Sequence, residues 1–311
     1  MRMAVRRLMA LATVATLALG VMVGLLAMAA PSRAVPARSL ASGADSNAVD
    51  VTPLLGLSGA LRAVEYPDDG PPPVPLAALI PALAERGPGV HPTGLAAPDG
   101  APIRALALVP LKFKLGPTWR GYRVGFWPGE RTPERGRARY RLPAGFLEVT
   151  PENRELPLST HFRVGDFLTH DQQNRWPKVL VIQLPLLDKL ELIAAELEAL
   201  GQPSALRVLS GFRTPQYNAL GVGSRGGRAR DSRHMYGDAA DVYVDDDGDG
   251  RMDDLDRDGR VTLSDARWLA RVAARVEIEH PEVTGGIGVY RANGMHGPFV
   301  HVDTRGTRAR W

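Results

Sequence analysis

The chain has 311 residues, 44% of them hydrophobic and none of them cysteine. That length allows a leader and one or two domains with a sizeable core. The missing cysteines exclude disulfides, thiolate metal sites, a cysteine nucleophile and a lipid-attachment cysteine. The formal charge of +4 belongs to the N-terminus: Arg2, Arg6, Arg7 and Arg33 lie in the first 34 residues without an acid, so the remainder is 4 − 4 = 0. A neutral body removes the main electrostatic argument for nucleic-acid binding.

In chain order, a basic start precedes an uncharged apolar run, Leu8 to Ala30, and then small residues up to Ala34. That order describes a secretory leader cleaved after Ala30 or Ala34. The run of 23 residues is also long enough to span a bilayer as an uncleaved anchor. Either reading puts the rest of the chain outside the cytoplasm, in the periplasm, in the cell envelope or secreted. Residues 35–50 read as a flexible linker. Residues 51–155 read as a β-rich accessory region: a breaker cluster PDDGPPPVP, a short helix in PLAALIPALAERG, then short strands in IRALALVPLKFKL and YRVGFWPG.

From residue 156 the pattern is clearer. Leucines at helical spacing over 184–201, with Pro185 near the start and Gly201 past the end, predict a helix. LRVLSGF (206–212) and DVYV (241–244) predict strands. Thr262 opens a T-x-x-D capping box before a helix over 265–279, with Pro281 beyond its end. GGIGVY (285–290) and PFVHVD (298–303) predict a closing strand pair. The fold class is α+β: a small antiparallel sheet with flanking helices, preceded by the accessory region.

His234 and Asp241 are too far apart in sequence to be helical neighbours, and the Gly237, Ala239 and Ala240 between them suggest a tight loop feeding a strand that Asp241 opens. His301 lies on a second strand, with Asp303 two residues on and facing the same way. Two histidines and one carboxylate suit zinc, and three protein ligands leave the fourth position for water, whose pKa zinc lowers to about 7. No H-E-x-x-H helix is present.

SGFRTPQYN (210–218), SRHMYGDAAD (232–241), GGIGVY and FVHVD together resemble the zinc D-Ala-D-Ala carboxypeptidases and related murein endopeptidases, which share a fold with lysostaphin-type enzymes and the hedgehog signalling domain. The resemblance covers roughly residues 157–311. It implies His234, Asp241 and His301 as zinc ligands, Arg213 as the arginine at the scissile carbonyl or substrate carboxylate, and Ser232 as a substrate-binding hydroxyl. The family's acid of a D-x-x-H pattern is replaced by Pro298, and the first histidine of an H-x-H pattern by Phe299. His296, five residues before His301, is then the expected base or proton donor. Asp303 is the alternative, or it orients His301 from behind.

DDDGDGRMDDLDRDGRVTLSD (245–265) has a second metal-binding pattern. Asp254, Asp256, Asp258, Arg260 (through its carbonyl), Thr262 and Asp265 fall at positions 1, 3, 5, 7, 9 and 12 of a calcium loop, with Gly259 at 6. Aspartate at position 12 resembles dockerin loops. An overlapping copy uses Asp245, Asp247, Asp249, Asp253 and Asp256, with Gly250 at its position 6, and the shared Asp256 resembles thrombospondin type 3 repeats. Eight aspartates within 14 residues repel one another unless a cation bridges them.

These readings converge on an exported zinc metallopeptidase acting on peptidoglycan stem peptides, with calcium as a structural ion. A non-catalytic zinc-containing wall-binding module of the same fold is the alternative.

Overall fold

The computed structural model describes residues 63–65, 88–96, 102–131, 140–223 and 227–311. The leader, the linker and the helix expected in 75–87 lie outside them. Among the described residues no helix is long and apolar enough to cross a membrane.

The accessory region is built of short strands, as its breaker-rich sequence predicts. β1 (Ala63–Glu65), β2 (Gly89–Ala96) and β3 (Pro102–Ala107) form a three-stranded sheet in the order β1-β3-β2. β4 (Val109–Pro110) follows, and β5 (Thr118–Trp119) pairs with β6 (Tyr122–Arg123). β7 (Gly145–Val149) pairs with β4 on one side and with β8 (Lys178–Leu180) on the other. This region packs on the rest of the chain. Tyr122, Trp127 and Phe146 are buried in the same apolar cluster as Leu186, Leu190 and Val300. The Trp127 indole donates to the Met235 carbonyl at 2.6 Å, and Gln216 N–H donates to the Val124 carbonyl at 2.9 Å.

Helix α1 (Leu184–Ala199) carries proline in its first turn, as the sequence predicts. Leu186, Leu187, Leu190, Ile193 and Leu197 form its buried stripe, each worth about 2 kcal/mol. The chain leaves through Gly201 at φ +64°, where the absence of a Cβ permits the left-handed turn. β9 (Leu206–Ser210), α2 (Pro215–Leu220) and β10 (Ala239–Val244) follow. β10 begins two residues earlier than expected, so Asp241 sits inside the strand rather than opening it. Helix α3 (Leu263–Glu279) starts with the predicted capping box of Thr262 and Asp265. β11 (Gly286–Tyr290), β12 (Phe299–Asp303) and β13 (Ala309–Arg310) close the fold.

The five-stranded sheet has the order β13-β11-β12-β10-β9. Four strands are antiparallel, as expected, but β13 joins the edge parallel to β11, so the sheet is mixed. Two residues are too few to show a period of two, which is why β13 left no sequence signal. Alternation along β10 and β12 gives the sheet two chemical faces. Val242, Val300 and Val302 enter the core with Leu269, Val272 and Val276 of α3, while Asp241 and His301 project from the other side.

Candidate metal centre and cleft

Strand register builds the site. Ser210 of β9, Asp241 of β10, His301 of β12 and Gly288 of β11 are cross-strand neighbours in one row. An irregularity in the β9–β10 pairing falls between Asp241 and Val242; bulges of this kind re-aim side chains beside functional sites. His234 comes from the 3₁₀ turn Arg233–Tyr236 rather than from the sheet.

Each residue of the S-G-F-R segment has a distinct task. The Ser210 hydroxyl accepts from Arg213 Nε at 2.9 Å. Gly211 lies against the backbone of Phe167, where an added Cβ would come within 2.7 Å, and its carbonyl accepts from His234 Nδ1 at 2.7 Å. Phe212 is buried and stacks on Trp127 at 6.4 Å. Arg213 Nη2 donates to Asp241 Oδ2.

His234 Nε2, His301 Nδ1 and Asp241 Oδ1 then converge. Their separations are 3.2, 3.0 and 3.3 Å. Zinc bonds of about 2.0–2.1 Å at tetrahedral angles place ligand atoms roughly 3.3 Å apart. The partners behind the rings assign the tautomers. His234 Nδ1–H goes to the Gly211 carbonyl, and His301 Nε2–H goes to Asp303 Oδ2 at 3.1 Å. Two imidazole lone pairs and a carboxylate oxygen therefore face one point, an arrangement that suits a cation and is repulsive without one. The donor set fits zinc.

The surroundings shift the two rings in opposite directions. Burial pushes the His234 pKa down, favouring the neutral ligand form. Burial opposes the charge on Asp241, yet His234, His301 and Arg213 hold its carboxyl well below the usual range. Burial also works against charge on His301, but the hydrogen bonds to Asp241 and Asp303 outweigh it and raise its pKa. Asp303 is 0% exposed and takes bonds from His301, Arg305 and the Gly286 N–H, so it stands behind the ligand and outside the cleft lining.

The cluster opens into a cleft of about 750 Å³. Arg213, Ser232 and His296 line it, as their expected roles require. His296 Nδ1 donates to the Gly297 carbonyl at 2.8 Å, leaving Nε2 to accept from the Asn293 amide at 2.8 Å, and its ring packs edge-on against Phe299. Tyr217 and Tyr290 also line the cleft. Sequence reasoning missed His170, Arg228 and Trp311. Gly288 leaves room for the Trp311 indole, which lies 5.3 Å from the His301 ring. The glycine pair in GGIGVY was the available signal.

A family model described as Peptidase M15 matches residues 160–262, the span that holds Arg213, Ser232, His234 and Asp241. This chain carries a Peptidase M15 domain. The family implies metallopeptidase chemistry on peptides, and the buried His234, Asp241 and His301 supply the place for its zinc. His301 falls beyond the matched span and is brought in by the pairing of β12 with β10. No curated protein and no solved structure gives a significant match to the chain.

The aspartate segment forms two consecutive loops of the same design. In both, position 1 accepts from the position 6 glycine: Asp245 from Gly250 at 3.1 Å and Asp254 from Gly259 at 2.7 Å. Position 3 accepts from the amide at 5, and position 5 from the amide at 7, in both loops. Asp245, Asp247 and Asp253 bring oxygens within 4.8 Å of one another, as do Asp254, Asp256 and Asp265. Asp249 and Asp258 stand outside those groups, and Asp256 joins the second loop alone. Thr262 uses its hydroxyl to cap Ser264 N–H.

Proposed function

We propose that this M15 metallopeptidase is an exported zinc enzyme that hydrolyses peptidoglycan stem peptides. The observation that carries the reading is the convergence of three lone-pair donors, their tautomers fixed from behind, at a cleft large enough for a peptide. When bound there, zinc would supply a Lewis acid and a water acidic enough to attack an amide at neutral pH.

The protein's own groups do the rest. Arg213 steadies Asp241 through Nη2, which leaves Nη1 as the donor for the polarised substrate carbonyl. Ser232 offers a hydroxyl to the peptide backbone. His296 presents the basic Nε2 end of its ring, exchanging Asn293 for the proton that must move to the leaving amine. Asp303 fixes the His301 ring so that Nδ1 points to the metal position. Export rests on the basic–apolar–small N-terminal segment. We infer calcium as the structural ion of the two aspartate loops, supported by their shared hydrogen-bond pattern and their two carboxylate groups.

One observation favours the wall-binding alternative. Besides Asp241, the only carboxylate side chain in the cleft lining among the described residues is Asp231, which accepts from the Tyr236 hydroxyl at 2.8 Å. Proton transfer then depends on His296. Purified muropeptides incubated with the zinc-loaded protein and analysed by mass spectrometry test the choice. Loss of one terminal D-alanine identifies a carboxypeptidase, and split cross-links identify an endopeptidase. Tight substrate binding without product would establish the binding module.

A further inference from the structure

The arginines around the cleft differ in how they are neutralised. Arg213 is paired with Asp241, Arg233 with Asp238 and Arg305 with Asp303. Arg228 lines the same cleft and, like the exposed Arg291, has no carboxylate partner among the described residues. It is not a solvated surface arginine. Its guanidinium lies over the Tyr217 ring at 4.3 Å, and Nη1 donates to the Tyr217 carbonyl at 2.6 Å. Its stem fills the space beside Gly221, where an added Cβ would meet Arg228 Cδ at 2.5 Å.

This cation is therefore half-buried, fixed in orientation and unneutralised. Its neighbours make the imbalance sharper. Arg228 and Arg213 are close enough to repel; burial lowers the His170 pKa, and the charges of Arg213 and Arg228 lower it further. A planar fork held against an aromatic ring is preorganised for a carboxylate, because little further rotamer freedom is lost on binding.

We propose that Arg228 is a specificity-determining residue that anchors a free carboxylate of the substrate beside the scissile bond. Arg213 is less suited to that task, since two of its nitrogens already hold Ser210 and Asp241. The inference rests on the peptidase reading and narrows the substrate class to peptides with an anionic group on that side of the bond.

The test compares diacetyl-Lys-D-Ala-D-Ala as the acid and as its C-terminal amide, using the full zinc-loaded chain. Equilibrium binding by calorimetry and kcat/KM are measured for wild type, Arg228→Met and Arg228→Lys. Wild type is expected to prefer the acid by about 10- to 100-fold, mainly in KM, as a charge-assisted bidentate contact implies. Arg228→Met should bring that ratio close to unity, and Arg228→Lys should retain part of it. An unchanged ratio in Arg228→Met, or no preference in wild type, overturns the proposal. So does an equal loss for acid and amide, which would make Arg228 only a support for Tyr217. If wild type cleaves neither peptide but binds the acid through Arg228, the peptidase reading fails and the anchor stands. Cleavage without Arg228-dependent discrimination is the reverse result.

Discussion

His234, Asp241 and His301 differ from the aspartates of 245–265 in what stands behind each ligand. In the buried cluster each side chain is held by a partner outside the cluster: His234 by the Gly211 carbonyl, Asp241 by Arg213 and His301 by Asp303 two residues along its own strand. In the loops the carboxylates take amides of their own loop, as Asp245 does from Gly248 and Gly250. Sheet register fixes the first set, while the second fixes only its local backbone. The loops nevertheless reach the core through Met252 and Leu255, both buried, and through Asp253 N–H, which donates to the Val244 carbonyl at the end of β10. A cluster of the first kind is preformed and would hold its donors together before any metal arrived. A loop of the second kind, if it took up an ion, would gain most of its order from it.

The largest expected effect breaks the comparison directly. His234→Ala should weaken zinc binding by three orders of magnitude or more, about 4 kcal/mol, and abolish turnover. Asp254→Ala/Asp256→Ala should leave zinc stoichiometry unchanged. Metal analysis after dialysis against buffered zinc reads both, and tight zinc in the His234 variant would remove the assigned centre. The next effect concerns the frame behind the cluster. Lys189 is wholly buried, with Nζ 2.6 Å from Glu277 Oε1 and 2.7 Å from the Asp303 carbonyl. Lys189→Met removes one member of a buried ion pair and should cost about 3 kcal/mol in denaturant unfolding. A neutral result would mean that Arg310, the second partner of Glu277, is sufficient alone. Asp303→Asn should lower zinc affinity about 10- to 100-fold without unfolding the chain. An unchanged affinity would show that the sheet orients His301 without help.

Much of this comparison was legible in the sequence, for physical reasons that differ by residue. The buried His234, Asp241 and His301 stood out because few residue types offer such donors and because the segments that carry them resemble a known family. The capping box of Thr262 and Asp265 showed because both partners lie within one turn. Lys189 gave no sign, since its partners Glu277 and Asp303 are remote in sequence and only folding brings them together. The same holds for Trp127 against Met235, which ties the accessory region to the M15 domain. Arg228 lies in an arginine- and glycine-rich stretch, and only the fold reveals its ring contact and, among the described residues, its lack of a carboxylate partner.

A smaller effect sharpens the loop side of the comparison. Asp265 is fully buried and accepts from Leu255 and Thr262 N–H at 2.9 and 2.7 Å. Asp265→Ala should destabilise the protein by about 1–2 kcal/mol through the lost cap, with calcium absent. If calcium binds the second loop, adding it should stabilise wild type and leave the variant behind by more. An equal calcium response in both would sink the assigned role at position 12.

The smallest effect separates the acid sensitivity of the frame from that of the metal centre. His161 Nδ1 lies 2.5 Å from Glu191 Oε2, and its backbone N–H donates to Glu191 Oε1 at 2.8 Å. The hydrogen bond that His161 donates to Glu191 raises the His161 pKa against the opposing effect of burial. Burial favours a neutral Glu191, but His161 and Ser159 outweigh it and lower its pKa. A raised histidine contributes stability that is complete below its unfolded value, about 6.5, and is lost as pH rises through the folded value. A lowered glutamate contributes above about 4.3 and loses that contribution as pH falls through its folded value. The two windows overlap between roughly pH 4.5 and 6.5, where both groups are charged. His161→Gln should therefore cost most stability near pH 5.5 and progressively less toward pH 9, read from denaturant midpoints across that range. Because His161 is partly exposed, the effect should be modest and shrink with salt. The same scan with the zinc-free protein should give the same difference between wild type and variant, since neither residue touches the metal ligands. A difference that depended on zinc would mean that α1 transmits the state of the centre to this pair.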